Sequence, residues 1–130
     1  MSEPVTLAFS QADLGDRIEA LTDTEIDLLD FGVIGFDAET MVCRYNAFES
    51  KCAGLAPSRV LSHPLFTVVA PCMNNFLVAQ RFEDAAASGA ALDVTIDYVL
   101  TLRMRPVKVA LRLLAAPGAK RRYVLVQRPS

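Results

Sequence analysis

The sequence predicts an α+β fold, in which a five-stranded antiparallel sheet is flanked by short helices and one longer connector helix. Alternation of apolar and polar residues, which is typical of half-buried strands, fills the last third of the chain and returns in a shorter stretch at 31–46. Helical spacing and capping residues occupy the segments before and between these stretches.

With 130 residues, of which 52% are hydrophobic, the chain is long enough to bury one core. No repeat, low-complexity tract or linker divides it. We therefore expect a single domain over residues 1–130, with an N-terminal helical cap at 1–30 and a core at 31–130.

Two short N-terminal helices are predicted because a hydroxyl residue is followed three positions later by an acidic residue, as in helix N-caps. The pairs are Ser10/Asp13 and Thr22/Glu25, and the helices are expected near 11–17 and 23–29. A hairpin should follow, and then a short helix that Asn46 opens and Gly54 ends. The two hairpin strands are expected at 31–37 and 41–46.

The second half should contain one helical turn at 57–60, an apolar connector at 63–72 and the longer helix at 76–88, which Gly89 ends. The apolar side of that helix is predicted to carry Phe76, Ala79, Phe82 and Ala86. Three strands complete the sheet, with Pro117-Gly118 as the turn between the last two. These strands are expected at 92–103, 107–116 and 122–127.

The charge pattern predicts neither a nucleic-acid partner nor a membrane partner. Thirteen basic and fifteen acidic residues give a net charge of −2, which offers no overall attraction to nucleic acid. No apolar run approaches the ~18 residues of a membrane span, and no secretory signal opens the chain, so we expect a cytoplasmic protein. The basic residues gathered near the end are expected to face solvent. They are Arg103, Arg105, Lys108, Arg112, Lys120, Arg121, Arg122 and Arg128.

Three motifs occur in a specific order and spacing. Each motif is weak alone, but in this order and spacing they are fairly specific. Through them the chain resembles the photoactive yellow protein family of the PAS superfamily, and the resemblance covers nearly the whole chain. The motifs are Tyr45-x-x-x-Glu49 after the second strand, Ala70-Pro71-Cys72 in the connector, and Met104-x-Pro106 on the long strands.

The resemblance implies a blue-light photoreceptor that carries 4-hydroxycinnamic acid (p-coumaric acid) as a thioester on Cys72. It assigns the contacts with the buried phenolate to Tyr45 and Glu49, and places Met104 close to the chromophore, where it would assist thermal recovery. Light would isomerise the chromophore from trans to cis.

Two positions near the expected chromophore depart from the family pattern. A threonine one turn after the glutamate and an arginine shortly beyond it are common in the family, whereas this chain has Ala53 and Leu55. Together with Ala70 they complete the residues expected at the chromophore. The departures affect the tuning of colour and recovery more than attachment.

The chemistry implied by the resemblance is physically consistent. A buried phenolate needs hydrogen-bond donors, and a buried carboxylate beside it would repel it, so Glu49 is expected to be protonated in the dark. Proton transfer from Glu49 after isomerisation would leave a buried unpaired carboxylate, at a cost of several kcal/mol. We expect this charge to loosen the N-terminal segment 1–30, whose short helices have little stability of their own.

Each site residue also has a simpler interpretation. Cys72 fits a buried structural thiol, Glu49 the third residue of a capping box opened by Asn46, and Tyr45 a strand residue with its hydroxyl at the surface. Only their joint presence favours the photoreceptor.

Two other functions remain open at this point. A PAS-type ligand-sensing or protein-interaction module without photochemistry is the first alternative. A small enzyme with Glu49 and Tyr45 as an acid/base pair ranks last, because no nucleophile or metal set accompanies them, and we expect no enzyme activity. Because the chain ends directly after the last predicted strand, we expect the signal to pass to a separate, unidentified downstream signalling protein. The protein itself is expected to be a monomer or a weak homodimer.

Overall fold

Within residues 7–101 and 106–129, which the computed structural model describes, the chain forms five strands and five α-helices. The strands are β1 (Gly32–Phe36), β2 (Val42–Tyr45), β3 (Leu92–Leu100), β4 (Val107–Ala115) and β5 (Arg122–Gln127). The helices are α1 (Leu14–Ala20), α2 (Asp23–Ile26), α3 (Ala47–Ala53), α4 (Pro57–Val60) and α5 (Ala79–Ser88).

All strand pairs are antiparallel, and the sheet order is β2-β1-β5-β4-β3. The predicted five-stranded antiparallel sheet with flanking helices is confirmed. The chain enters at the β1–β2 hairpin, crosses by way of the helices to β3 at the other edge, and returns to the centre through β4 and β5. The two ends of the chain's core, β1 and β5, therefore lie side by side.

Side-chain alternation along the strands gives the sheet two buried faces. The inner face, which carries Ile34 and Val126, packs against the segments between β2 and β3. The outer face, which carries Val33 and Leu125, packs against the N-terminal segment, including the fully buried Leu14.

The apolar connector predicted at 63–72 has helical turns that the sequence analysis did not specify. It forms a π-helical turn at Leu65–Val69 and a 3-10 turn at Pro71–Met73. Phe66 in the first turn stands edge-on to Phe36 of β1, with ring centroids 5.6 Å apart, so the connector packs tightly on the inner face.

Helix α5 is shorter than predicted, and two of the four residues predicted for its apolar side, Phe76 and Ala86, are exposed. It begins at Ala79, and Phe76 is 83% exposed. The side-chain oxygen of Asn75 accepts hydrogen bonds from the backbone N–H groups of Leu77 and Val78 (3.0 and 3.2 Å), which holds this stretch in a turn. Later in the helix Ala85, and not Ala86, is buried.

The other predicted boundaries hold to within a few residues. Thr22 and Glu25 form the predicted capping box, whereas Asp13, and not Ser10, is the N-cap residue of α1 and makes no side-chain cap hydrogen bond. Gly54 and Gly89 end α3 and α5 in the left-handed conformation that glycine adopts without strain. Strand β3 ends at Leu100, and residues 102–103 of the predicted strand lie outside the described residues.

Arg112 was predicted to face solvent, and this prediction is wrong because it is buried on the outer face. Its guanidinium pairs with Asp93 through two hydrogen bonds (2.8 and 2.9 Å). It also donates to the backbone carbonyls of Phe9 and Gln11 (2.8 and 2.7 Å). These bonds fasten the start of the described chain to β4.

Arg44 of β2 fastens the next part of the N-terminal segment in the same way. Its buried guanidinium donates to the carbonyls of Ile18 and Leu21 and to the carboxylate of Asp23 (2.9 Å). A further bond reaches the hydroxyl of Tyr123 on β5 (3.0 Å). Two arginines of the sheet thus supply donors for N-terminal backbone carbonyls. No helix among the described residues is long and apolar enough to cross a membrane.

We predict that Arg44→Met lowers the free energy of unfolding by about 2–3 kcal/mol, because the carbonyls of Ile18 and Leu21 lose their donor. Asp23 adds little to this loss, since its side chain is 80% exposed. Chemical denaturation measures the change. Arg59→Met, at an exposed position on α4, is the control and should stay within about 0.5 kcal/mol of the parent. Equal effects of the two substitutions would contradict the role of Arg44.

Candidate functional site

Asn46, at the junction of β2 and α3, fixes the position of the helix that carries Glu49. Its buried side-chain oxygen accepts from the N–H groups of Glu49 (3.1 Å) and Val33 (2.9 Å). Its amide nitrogen donates to the carbonyls of Ile26 (2.9 Å) and Phe31 (3.0 Å). One side chain therefore joins α3, β1 and the end of the N-terminal segment, with all four bonds made in the interior.

The Glu49 carboxylate is 2% exposed and forms an ion pair with Arg128, the first residue after β5. Two nearly parallel hydrogen bonds join them, from Nη1 to Oε1 at 2.6 Å and from Nη2 to Oε2 at 3.0 Å. This two-point geometry is the strong form of an arginine–carboxylate pair. The Arg128 side chain is 16% exposed, so the prediction that it faces solvent is wrong.

Gly32 makes room for the pair. A Cβ atom on Gly32 would lie 2.1 Å from Oε1 of Glu49, well inside contact distance. The carboxylate therefore rests directly on the backbone of β1. Gly32 pairs with Val126 of β5, and Arg128 lies two residues further along the same face, within reach of Glu49.

The negative charge of Glu49 offsets the cost of burying the positive charge of Arg128. Burial opposes the charge on Arg128, but the hydrogen bonds and the charge of Glu49 outweigh it and raise the pKa of the guanidinium. In the capping-box interpretation the Glu49 carboxylate would bond back to the N-cap residue. Asn46 does cap α3, but the Glu49 carboxylate binds Arg128 instead.

The hydroxyl of Tyr45 is buried and has no hydrogen-bond partner among residues 7–101 and 106–129. The interpretation that placed it at the surface is therefore wrong. Burial, and secondarily the negative charge of Glu49, raise the pKa of Tyr45 well above its usual value. The group stays a neutral donor that finds no acceptor in the described part of the chain, and an unsatisfied buried donor is rare in protein interiors.

Cys72 lies in the 3-10 turn before α5, half-buried, with its thiol free. Its backbone carbonyl accepts a hydrogen bond from the Tyr98 hydroxyl of β3 and another from the Asn75 side chain (3.1 Å). Asn75 also donates to the Tyr98 hydroxyl at 2.6 Å. The main chain at Cys72 is thus held against β3.

The remaining predicted site residues are apolar. Ala70 belongs to the core cluster of the inner face, and Leu55 packs against that cluster. Ala53 is buried on α3, one turn after Glu49. Met104 lies outside the described residues.

The structure brings Tyr45 and Cys72 to the same apolar cluster, with Tyr45 inside it and Cys72 packed against it. A buried hydroxyl without an acceptor among the described residues and a free thiol thus border one apolar cluster. An additional acceptor would satisfy a buried donor of this kind.

The sequence analysis assigned no role to Arg128 or Tyr98. A usable signal existed for Arg128, because Val124, Val126 and residue 128 share one face of a strand whose partner carries Gly32. Tyr98 lies within the strand predicted at 92–103, and the contact of its hydroxyl with the carbonyl of Cys72 is seen only in the fold.

Comparison with known proteins identifies the family of the chain. The chain is 30% identical to the photoactive yellow protein of Rhodothalassium salexigens over 122 residues, which cover 94% of this chain and 97% of that protein. It is also 30% identical to the photoactive yellow protein of Halochromatium salexigens over 120 residues, or 92% of this chain and 95% of the relative. No family model matches the sequence.

Among solved structures, the photoactive yellow protein domain of the sensor histidine kinase Ppr from Rhodospirillum centenum is similar to this chain. It has a TM-score of 0.79 and 35% identity, covering 87% of this chain and 98% of that domain. The chain therefore belongs to the photoactive yellow protein family, and it is a photosensory or signalling module of the PAS fold, not an enzyme.

Proposed function

We propose that the protein is a blue-light photoreceptor that binds 4-hydroxycinnamic acid as a thioester on Cys72, with the phenolic oxygen at Tyr45 and Glu49. The orphaned hydroxyl of Tyr45 is the observation that carries the proposal. A buried donor without an acceptor costs about 1–3 kcal/mol, and a phenolate oxygen would supply the acceptor that Tyr45 does not find among the described residues. Membership of the photoactive yellow protein family supports the same ligand.

Each residue has a distinct part in holding the group. The Cys72 sulfur forms the thioester, on a turn fixed by Tyr98 and Asn75. The Tyr45 hydroxyl donates to the phenolic oxygen, and Glu49 donates a second hydrogen bond when it carries a proton. The apolar walls, formed by Ala53, Leu55 and Ala70, keep water from the aromatic ring, and Met104 is proposed to lie nearby. The chromophore itself supplies blue absorption and trans–cis isomerisation.

The response to light is proposed to begin when Glu49 gives up its proton to the phenolic oxygen. The carboxylate would then regain the charge with which it binds Arg128, and the rearrangement of that pair would act on the helix that Asn46 holds. Because Asn46 also holds the carbonyls of Ile26 and Phe31, any shift of α3 acts directly on the N-terminal segment. Release of that segment from the outer face would be the partial unfolding that carries the signal.

The proposed receptor acts in the cytoplasm and passes its signal to an unidentified downstream protein, with no nucleic-acid or membrane partner. We expect a monomer or weak homodimer, in which residues 1–130 work as one domain with a detachable N-terminal cap at 1–30.

Treatment of the full chain with activated 4-hydroxycinnamic acid should add one acyl group by mass and produce a visible absorption band. Cys72→Ser should abolish both. Cys43→Ser and Cys52→Ser, which change exposed thiols, are the matched controls and should retain both. Failure to form an adduct, or an adduct that survives Cys72→Ser, would sink the proposal and leave a PAS-type sensor without photochemistry as the better description.

Tyr45→Phe should have opposite effects on the two forms of the protein. Without the chromophore, loss of the orphaned hydroxyl should raise the free energy of unfolding by about 1 kcal/mol, because no bond is lost and a desolvation cost disappears. With the chromophore, the substitution should lower stability by a similar amount. Denaturation of both forms measures this. Tyr98→Phe, which does break a bond, should destabilise both forms, and the same behaviour in Tyr45→Phe would contradict the assignment.

Light should increase backbone hydrogen exchange in residues 7–31 of the loaded protein, and darkness should reverse the increase. The physical reason is the new charge on Glu49 acting through Asn46. Mass-spectrometric exchange on peptides of the chain measures it, with illuminated Cys72→Ser as the control. An unchanged N-terminal segment in a protein that does bleach would contradict the proposed signal.

A further inference from the structure

We propose that Arg128 is the counter-cation of the chromophore site, pairing with Glu49 before attachment and with the phenolic oxygen afterwards. The inference rests on the proposed function and deepens it by naming the residue that sets the charge state of the site. Its basis is the geometry of the pair and the charge balance that follows from it.

The charged and titratable groups that bear on the Tyr45 hydroxyl come from two places in the fold. They are Glu49 and Cys52 on α3 and Arg128 after β5, around Tyr45 on β2. Arg128 is the cation of this set. Its guanidinium is bonded to Glu49 through both terminal nitrogens, Nη1 and Nη2, in a largely buried position where charge is screened weakly.

Without the chromophore the site is neutral, because one carboxylate faces one guanidinium. Addition of a phenolate, with nothing else changed, would place two buried anions against one cation. The charge balances if Glu49 takes up the phenol's proton, which leaves neutral Glu49, a phenolate and the Arg128 cation. No proton is exchanged with solvent. Both hydrogen-bond donors at the phenolic oxygen, Tyr45 and protonated Glu49, are then in the required state.

Arg128 is suited to this exchange because a guanidinium carries five N–H groups and can bind two acceptors at once. It lies at the end of a strand, with its side chain partly exposed, so it can shift without opening the core. The fixed partner is Glu49, which is held between α3 and the backbone at Gly32. Arg128 therefore compensates the negative charge at the site, while the apolar walls hold the aromatic ring.

The first test uses the protein without chromophore. Infrared spectra at neutral pH should show no protonated carboxyl band from Glu49 in the parent chain or in Arg128→Lys, which keeps the charge. Arg128→Gln should show such a band, which disappears when Glu49→Gln is added. Arg122→Gln, which removes a charge at the other end of β5, is the matched control and should resemble the parent. An ionised Glu49 in Arg128→Gln would overturn the proposal.

The second test uses the loaded protein and titrates the visible band. Arg128→Gln should destabilise the phenolate anion, because a nearby positive charge is lost. The pH midpoint of its protonation should therefore rise by about 1–3 units, which is a tenfold or larger increase in proton affinity. Arg128→Lys should show a smaller rise, and Arg122→Gln should show none. An unchanged midpoint in Arg128→Gln would overturn the counter-cation role.

The two tests separate this inference from the proposed function. If mass shows one acyl group on Cys72 and the parent has a visible band, the photoreceptor stands whatever Arg128→Gln does. If no adduct forms, the photoreceptor fails, and the role of Arg128 towards the phenolate fails with it. The infrared test needs no chromophore, so it measures the protonation of Glu49 beside Arg128 whether or not an adduct forms.

Discussion

A buried carboxylate is the constraint on which the rest of the structure depends. Glu49 lies on the backbone of β1, where Gly32 leaves space for it, and Arg128 neutralises it from the neighbouring strand. Removing one partner of a buried pair costs several kcal/mol, so the protonation of Glu49 and the position of Arg128 must change together. Because the protonation of Glu49 is coupled to the position of Arg128, a proton transfer at Glu49 becomes a structural change.

The N-terminal segment is the part of the fold best placed to respond. It covers the outer face of the sheet, but its backbone carbonyls depend on donors from elsewhere, namely Arg44, Arg112 and the amide of Asn46. Asn46 belongs to the same helix cap as Glu49. The site on the inner face and the cap on the outer face are therefore joined by one side chain, across the first strand of the sheet.

Sequence patterns were sufficient for the sheet, because strand alternation and the capping and turn residues depend on near neighbours. They failed where distant contacts decide the outcome. Phe76 leaves its predicted helix because Asn75 caps the following turn, and Arg112 is buried because N-terminal carbonyls need its donors. The pairing of Glu49 with Arg128 spans 79 positions, so strand alternation shows the face that Arg128 shares but not the residue that it binds. The resemblance supplied Tyr45, Glu49 and Cys72, while the fold supplied the contacts of Glu49 with Arg128 and of Cys72 with Tyr98.

A crystal structure of the chromophore-loaded protein, determined in the dark at a resolution that shows hydrogen positions, tests the central claim most directly. The account predicts a thioester at Cys72, a phenolic oxygen within hydrogen-bond distance of Tyr45 and of a protonated Glu49, and Arg128 turned towards that oxygen. A chromophore whose phenolic end lies away from Tyr45, with the Glu49–Arg128 pair unchanged, would contradict it.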